Sequence, residues 1–184
     1  MEELTATAAN IAKMMNYRVH AERLNIPVLE GFKVEESNIP SVILLASKDG
    51  IMEQLVSDGY IDEDFQDRIN LVINNTKNFM KKTGCENPDD SFIYFKDYSN
   101  GIFNYKLYFC DIIKDNKIIR QLNAYFIEPE MHDFYQLSLS VNPIFLPTTM
   151  LKVGEIDLDN DNITKVLYNL MKILLDNLGY IKKS

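Results

Sequence analysis

Four residues able to bind a metal ion or move a proton stand together in the sequence: Glu128, Glu130, His132 and Asp133. Carboxylates and an imidazole on one loop can hold a divalent cation, and an acid beside a histidine can orient it as a general base. The only other histidine of the chain is His20, and zinc and non-haem iron sites usually contain more His or Cys. The cluster is a candidate metal or catalytic site, and a polar connection between two strands is the alternative interpretation.

A second acidic group precedes the last predicted helix. Asp157, Asp159 and Asp161 alternate as in the opening of a calcium-binding loop. That loop needs Gly at its sixth position and Glu at its twelfth, where this sequence has Asn162 and Tyr168. We therefore interpret these aspartates as caps of the helix and predict neither a metal nor another cofactor.

Motifs of nucleotide-binding proteins and of nucleophilic hydrolases are absent from the sequence. It contains no GxGxxG, GxxxxGK[ST] or GxSxG, and its 7 glycines are scattered. The only cysteines, Cys85 and Cys110, form no CxxC pair and are predicted to be structural thiols in a reducing cytoplasm. No catalytic residue is predicted outside the 128–133 cluster, and the sequence favours a protein that is not an enzyme.

Nearly all of the net charge of −8 falls between residues 34 and 66, where eight acidic residues accompany one lysine. Such a stretch is either an idle solvated surface or a docking surface for a basic protein partner. If docking is the role, the contact residues are Glu35, Glu36, Glu53, Asp58 and Asp62.

The clearest secondary structure lies between residue 92 and about 158, where the pattern predicts an antiparallel meander of four to five strands. With Asp115-Asn116 as a two-residue loop, apolar residues align on one face and Asp111 falls opposite Arg120. The strand at 135–141 alternates, with Ser138 and Ser140 on the outer face, and 153–158 is predicted to add an edge strand. One face should lie on the core and the other should be at least partly wet.

Helices are predicted on both sides of the meander. They cover residues 4–24, 51–57, about 62–82 and about 163–178, and the third has acids at its start and Lys81, Lys82 and Gly84 at its end. The sequence thus predicts one α+β domain over residues 1–184. Residues 1–84 form its mainly helical part, and residues 85–184 form the meander with the C-terminal helix.

The last predicted helix has an apolar face wider than the stripe of about 100° that one buried contact requires. Its members are Val166, Leu167, Leu170, Met171, Leu174, Leu175 and Leu178. We predict either that this helix is sandwiched deep in the fold or that it forms a homodimer interface.

Composition narrows the functional classes. A chain with 46% hydrophobic and 25% charged residues is an ordinary globular protein, and its negative charge disfavours nucleic acid and anionic membranes as partners. No apolar run approaches the roughly 18 residues of a membrane span, and Met1-Glu2-Glu3 lacks the positive charge of a secretory signal. The expected protein is soluble and cytoplasmic. Its 15 Lys against 4 Arg indicate an AT-rich bacterial or mobile-element genome.

In general build, a small acidic protein with a sheet and a broad apolar C-terminal helix is similar to bacterial secretion chaperones and other adaptor proteins. This resemblance implies a non-catalytic module that binds a protein partner through the outer sheet face or the acidic stretch. The alternative is a small-molecule-binding or hydrolytic domain with residues 128–133 at the mouth of its cavity. An enclosed pocket containing that cluster would favour the alternative.

Overall fold

The computed structural model describes residues 23–141, 146–147 and 154–181. The helices in this part of the chain are α1 (Phe65–Lys82) and α2 (Asn162–Asn177), with a 3₁₀ turn at Pro88–Asp90. The strands are β1 (Leu24–Asn25), β2 (Lys33–Val34), β3 (Val42–Lys48), β4 (Ile51–Tyr60), β5 (Phe92–Ser99), β6 (Asn104–Lys114), β7 (Lys117–Glu128), β8 (Asp133–Val141), β9 (Leu146–Pro147) and β10 (Gly179–Tyr180).

Seven strands form one antiparallel sheet in the order β2-β3-β4-β8-β7-β6-β5. The short β9 pairs with the start of β7. Strands β1 and β10 form a separate two-stranded sheet that places Leu24 opposite Tyr180. The predicted α+β class with a large antiparallel sheet is confirmed.

The register predicted for the β6–β7 hairpin is also confirmed. Asp115 and Asn116 form its loop, and both have the positive φ angles that a two-residue hairpin turn of this hand requires (53° and 59°). Opposite residues include the predicted pairs Ile113 and Ile118, Asp111 and Arg120, Phe109 and Leu122, and Leu107 and Ala124.

Helix α2 covers one face of the sheet. Leu167, Met171 and Leu174 of the helix join a buried cluster with Leu122 and Leu137 of the central strands. Leu174 and Leu178, two residues of the broad apolar face, are buried within the single chain. The helix thus packs on the sheet through most of this face, whereas Val166 of the same face is exposed. The homodimer interface stays a prediction.

Helix α1 packs on the opposite face of the sheet. Its Ile69 and Ile73 form a second buried cluster with Tyr125 of β7 and Phe134 of β8. Ser138 lies on this face as predicted, yet it is buried and donates a hydrogen bond to Asn123 Oδ1 at 2.7 Å. The outer face is thus drier than we expected, because a helix covers part of it.

The prediction of a mainly helical N-terminal part is wrong for residues 51–57, although the helix predicted at about 62–82 is present as α1. Residues 51–57, predicted as a helix, form the first part of β4, and β3 adds a further strand, so the sheet has seven strands rather than four or five. The alternation of apolar and polar residues that indicates a strand is not visible in β4, because its buried face carries the polar residues Glu53 and Ser57 beside Leu55. The helix predicted at 4–24 lies outside the described residues except at its end, where Leu24 belongs to β1. Of the predicted 153–158 strand, the described residues 154–158 form none.

A buried ion-pair network fastens α2 to the sheet. The Nε and Nη2 atoms of Arg120 each donate to one carboxylate oxygen of Asp111 at 2.8 Å. Its Nη1 donates to Thr164 Oγ1 at 2.7 Å and to Asp161 Oδ2 at 3.2 Å. Because Asp161 also accepts the backbone N–H groups of Ile163 and Thr164, it is the N-cap of α2, as predicted. The cap prediction is wrong for Asp157, which instead accepts the N–H groups of Asp159 and Asn160 in the turn before the helix.

The start of α1 matches the sequence prediction equally well. Asp64 is its N-cap and accepts the backbone N–H of Gln66, while Lys81 and Lys82 occupy the last turn, where cations favour the helix dipole. Gly84 follows with a φ of 85°, a conformation that strongly favours glycine.

Neither helix of the described chain combines the length and apolarity needed to cross a membrane.

Candidate functional site

The predicted cluster at residues 128–133 forms a tight corner between β7 and β8. Glu128, the last residue of β7, lies opposite Asp133, the first residue of β8, so the four residues between them make the turn. Glu128 and Asp133 are buried, whereas Glu130 and His132 are exposed. We refer to residues 128–133 as the β7–β8 corner.

The carboxylate of Glu128 is surrounded by donors. It accepts the backbone N–H groups of Glu130 and Met131 at 2.8 and 2.7 Å, and the hydroxyl of Tyr180. The Nη1 atom of Arg23 lies 3.5 Å from its Oε2. Burial alone would raise the pKa of Glu128, but these hydrogen bonds and the Arg23 charge together lower it below the ordinary 4.5. Glu128 is therefore an ionised, fully engaged carboxylate at neutral pH.

The partners of Glu128 come from the two distant ends of the described chain. Arg23 immediately precedes β1, Tyr180 belongs to β10, and these two short strands pair with each other. Arg23 also pairs with Glu130, and its guanidinium carbon lies 6.0 Å from the centre of the Tyr180 ring. The corner thus holds both ends of the described part of the chain to the sheet, a role that the spacing of residues 128–133 did not indicate.

His132 contributes to the same fastening. Its Nδ1 lies 2.7 Å from the carbonyl oxygen of Ile61, and its own carbonyl accepts the N–H of Ile61 at 3.1 Å. The backbone of His132 has a φ of 56°, which the sharp turn requires. The imidazole also lies near the ring of Tyr60, with centres 6.1 Å apart. These contacts join the corner to the end of β4.

The metal-binding or catalytic role of the corner stays a prediction. Among residues 23–141, 146–147 and 154–181, no three His, Cys, Asp or Glu side chains are grouped so that they could hold a metal ion. A carboxyl group that acts as a general acid must carry a proton near the working pH, but the contacts of Glu128 favour its ionised form. The corner joins the two ends of the described part of the chain, and its Met131 is exposed at the surface, as is Tyr60 of β4 beside it.

The predicted acidic contact residues divide between surface and interior. Glu35, Glu36, Asp58 and Asp62 are exposed. Glu53 is fully buried, so its assignment to an exposed negative patch is wrong. The reason is the strand geometry of β4, which turns Glu53 to the same face as Leu55.

The two cysteines remain free thiols. Cys110 is buried and lies opposite Gln121, as the predicted register requires, and burial raises its pKa far above the ordinary value. A thiol held in its protonated form is a poor nucleophile, which is consistent with the predicted structural role.

Two clefts on the described surface are lined by residues outside the β7–β8 corner. One, of about 330 Å³, lies between Phe65 and the β5–β6 hairpin around Tyr98 and Lys106. The other, of about 410 Å³, lies between α1 and the adjacent strands β4 and β8. We refer to it as the α1–β4 cleft and define it by the lining residues Val56, Asp58, Arg68, Val72, Asn75 and Gln136.

Comparison with known proteins identifies the fold but not a family. No family model and no curated protein matches the chain. Among solved structures, it is similar to the Ran-binding protein Mog1p of Saccharomyces cerevisiae, with 9% identity and a TM-score of 0.59 over 90% of this chain and 94% of that one. A second match is LpqN, described as involved in cell envelope biogenesis of Mycobacterium tuberculosis, with 12% identity and a TM-score of 0.48 over 86% and 83% of the two chains. At such low identity the likeness to Mog1p extends to the fold alone: the chain has the α+β architecture of that protein.

Proposed function

We propose that this protein is a non-catalytic module that binds another protein, in the manner of an adaptor or a chaperone. The observation that carries the proposal is the state of Glu128. Its carboxylate accepts two backbone N–H groups and the Tyr180 hydroxyl beside Arg23, so the most promising candidate for chemistry serves the fold instead. The proposal keeps the predicted cytoplasmic location.

The comparison with Mog1p supports the proposed class. Mog1p is described as a Ran-binding protein, which means that this architecture can present a protein-binding surface. Fold alone does not determine which partner is bound, because one fold hosts many surfaces. The likeness therefore favours a protein partner and leaves its identity to experiment.

The alternative, a small-molecule-binding or hydrolytic domain, requires the β7–β8 corner to face a cavity. Neither of the two clefts seen on the described surface includes Glu128 or His132 among its lining residues.

The test is reconstitution of a complex. The tagged chain is expressed in its native host and cross-linked, and each captured protein is then purified separately and mixed with the tagged chain. A stoichiometric complex on a sizing column, with its mass measured by light scattering, is the expected result. Turnover of ester or phosphoester substrates that is lost in His132→Ala would contradict the proposal. The light-scattering mass of the free chain also tests the predicted homodimer.

A further inference from the structure

Strand β5 leaves one row of its main-chain groups without a strand partner. It is the last strand of the seven-stranded sheet, and its pairing partner in the described chain is β6 alone. Among the described residues, no backbone group outside β6 forms a main-chain hydrogen bond with residues 92–99. The N–H and C=O groups on the free side of such a strand can bind an extended segment of another chain.

A β-bulge in β5 turns Lys96 toward α2. The pairing of β5 with β6 shifts by one residue between Tyr94 and Lys96, so Phe95 is an extra residue in the strand. Without this shift, Lys96 would share the outer sheet face with Tyr94. Instead, Phe95 and Lys96 both contact Tyr168 of α2: the two rings are 5.1 Å apart, and Lys96 Nζ lies 4.6 Å from the Tyr168 ring centre.

Lys172 of α2 is the second cation at the same ring. Its Nζ also lies 4.6 Å from the centre of the Tyr168 ring, so the ammonium groups of Lys96 and Lys172 are at most about 9 Å apart. Neither lysine forms an ion pair with the described residues. Contact with the ring stabilises both cations without neutralising them, so both charges are available to a partner.

The side of β5 that faces α2 is positively charged. The exposed Lys165 lies about two helical turns before the second lysine, on the same side of α2. The one carboxylate that α2 carries is Asp176, and it accepts a hydrogen bond from the Tyr98 hydroxyl. The carboxylate of β5, Asp97, belongs to the opposite face, where it lies 3.9 Å from Lys106 Nζ. Three ammonium groups against one carboxylate attract an acidic segment and repel a basic one.

We propose that an acidic segment of a partner protein adds to the sheet as a strand beside β5. Its main chain pairs with the free side of β5, and its carboxylates on the α2 side approach Lys96, Lys165 and Lys172. A second copy of this chain is a poorer occupant, because antiparallel pairing of two β5 strands would bring their Lys96 side chains together. This inference rests on the proposed protein-binding function and assigns that function a surface and a class of partner.

The probe is a library of random eight-residue peptides displayed on phage and selected on the purified full chain. The double variant Lys96→Gln/Lys172→Gln removes both charges, and Lys96→Arg/Lys172→Arg keeps them at the same positions. Lys82→Gln/Lys114→Gln is the matched control, because it removes two exposed charges outside β5 and α2. Glutamine and arginine are both good helix formers, so we expect Lys172 to be replaceable in α2 without loss of the fold.

We expect the selected peptides to be enriched in Asp or Glu and to bind the wild type more weakly as salt rises. Their affinity should fall about tenfold for Lys96→Gln/Lys172→Gln and stay within about twofold for the arginine variant and the control. In the wild type, the bound peptide should slow hydrogen exchange of the outward N–H groups of β5, because they gain main-chain acceptors. This measurement does not depend on the folding of any variant.

Failure to enrich any peptide, enrichment without acidic residues, or equal weakening by Lys96→Gln/Lys172→Gln and the control overturns the proposal. Peptide binding that protects no amide of β5 also overturns it, because charge attraction alone would then account for the affinity. If the native complex reconstitutes undiminished with Lys96→Gln/Lys172→Gln, the assignment to β5 is wrong while the protein-binding function stands. If no complex reconstitutes at all, the proposed function is wrong and this inference with it.

Discussion

Replacing the buried Glu53 by glutamine should make the protein more stable at neutral and alkaline pH. Glu53 is fully buried on β4, where its Oε1 accepts the N–H of Leu29 at 3.3 Å. Its other oxygen, Oε2, has no hydrogen-bond partner within the part of the chain that the structure describes. Burial raises the pKa of Glu53 from 4.5 to about 7, although the hydrogen bond from Leu29 acts in the opposite direction.

The magnitude follows from this pKa difference between the folded and unfolded states. Each pKa unit corresponds to about 1.4 kcal/mol, so the ionisation of Glu53 removes up to about 3 kcal/mol of folding free energy. Below pH 4.5 the carboxyl is protonated in both states, and this loss is absent. As pH rises from 4.5 to about 7 the unfolded chain ionises first, so the free energy of unfolding declines. Above pH 7 the full loss is present.

The assay is urea unfolding of the wild type and Glu53→Gln at pH 5 and pH 8, followed by circular dichroism. Glutamine keeps an acceptor for Leu29 but cannot ionise, so the variant should be more stable than the wild type by about 2–3 kcal/mol at pH 8 and by about 1 kcal/mol at pH 5. Glu36→Gln, which removes the same charge from an exposed position, is the control and should change stability little. Parallel pH profiles for the wild type and Glu53→Gln would refute the reasoning.

Three further predictions test the buried network, the corner and the acidic caps. Arg120→Met leaves Asp111 as a buried carboxylate without its cation, so the free energy of unfolding in urea should fall by about 3–5 kcal/mol. A Lys→Met control on the surface should change it little. Tyr180→Phe removes a hydrogen bond to the ionised Glu128 and should lower the free energy of unfolding by about 1.5–3 kcal/mol at pH 7. This difference from the wild type should shrink as acid protonates Glu128, and a difference that stays constant with pH would contradict the prediction. Calcium should leave the melting temperature unchanged, because we predict that Asp157, Asp159 and Asp161 do not bind it. A bound ligand at 100 times its Kd would add about 2.7 kcal/mol to the stability, so a rise in melting temperature that Asp159→Asn abolishes would contradict this prediction.

Local patterns were sufficient to predict the central hairpin. The β6–β7 register follows from alternating apolar residues, a two-residue turn and the opposite charges of Asp111 and Arg120, all of which act over a few residues. The caps of α1 and α2 are local in the same way, because Asp64 and Asp161 bind N–H groups only two or three residues further along the chain.

The β3–β4 hairpin and the role of the corner could not be predicted in this way. Periodicity fails in β4 because Glu53, a charged residue type, occupies an interior position and breaks the apolar alternation. The corner depends on contacts from Glu130 to Arg23 and from Glu128 to Tyr180, across 107 and 52 residues of sequence. No short motif encodes such pairings, since the whole sheet must form before these side chains meet.

The pairing of β1 with β10 has a consequence for the order in which the chain assembles. Leu24 and Asn25 pair with Tyr180 and Gly179, so the β1 segment stays without its partner until the β10 segment, more than 150 residues later in the sequence, has been made. Closing so long a loop carries a large entropic cost, and topologies rich in distant contacts fold slowly. On the ribosome, the seven-stranded sheet can form while the segment around Leu24 is still unpaired. We expect this two-stranded sheet to be the last element to gain protection in a pulse-labelled hydrogen-exchange experiment, and the first to open in the native state.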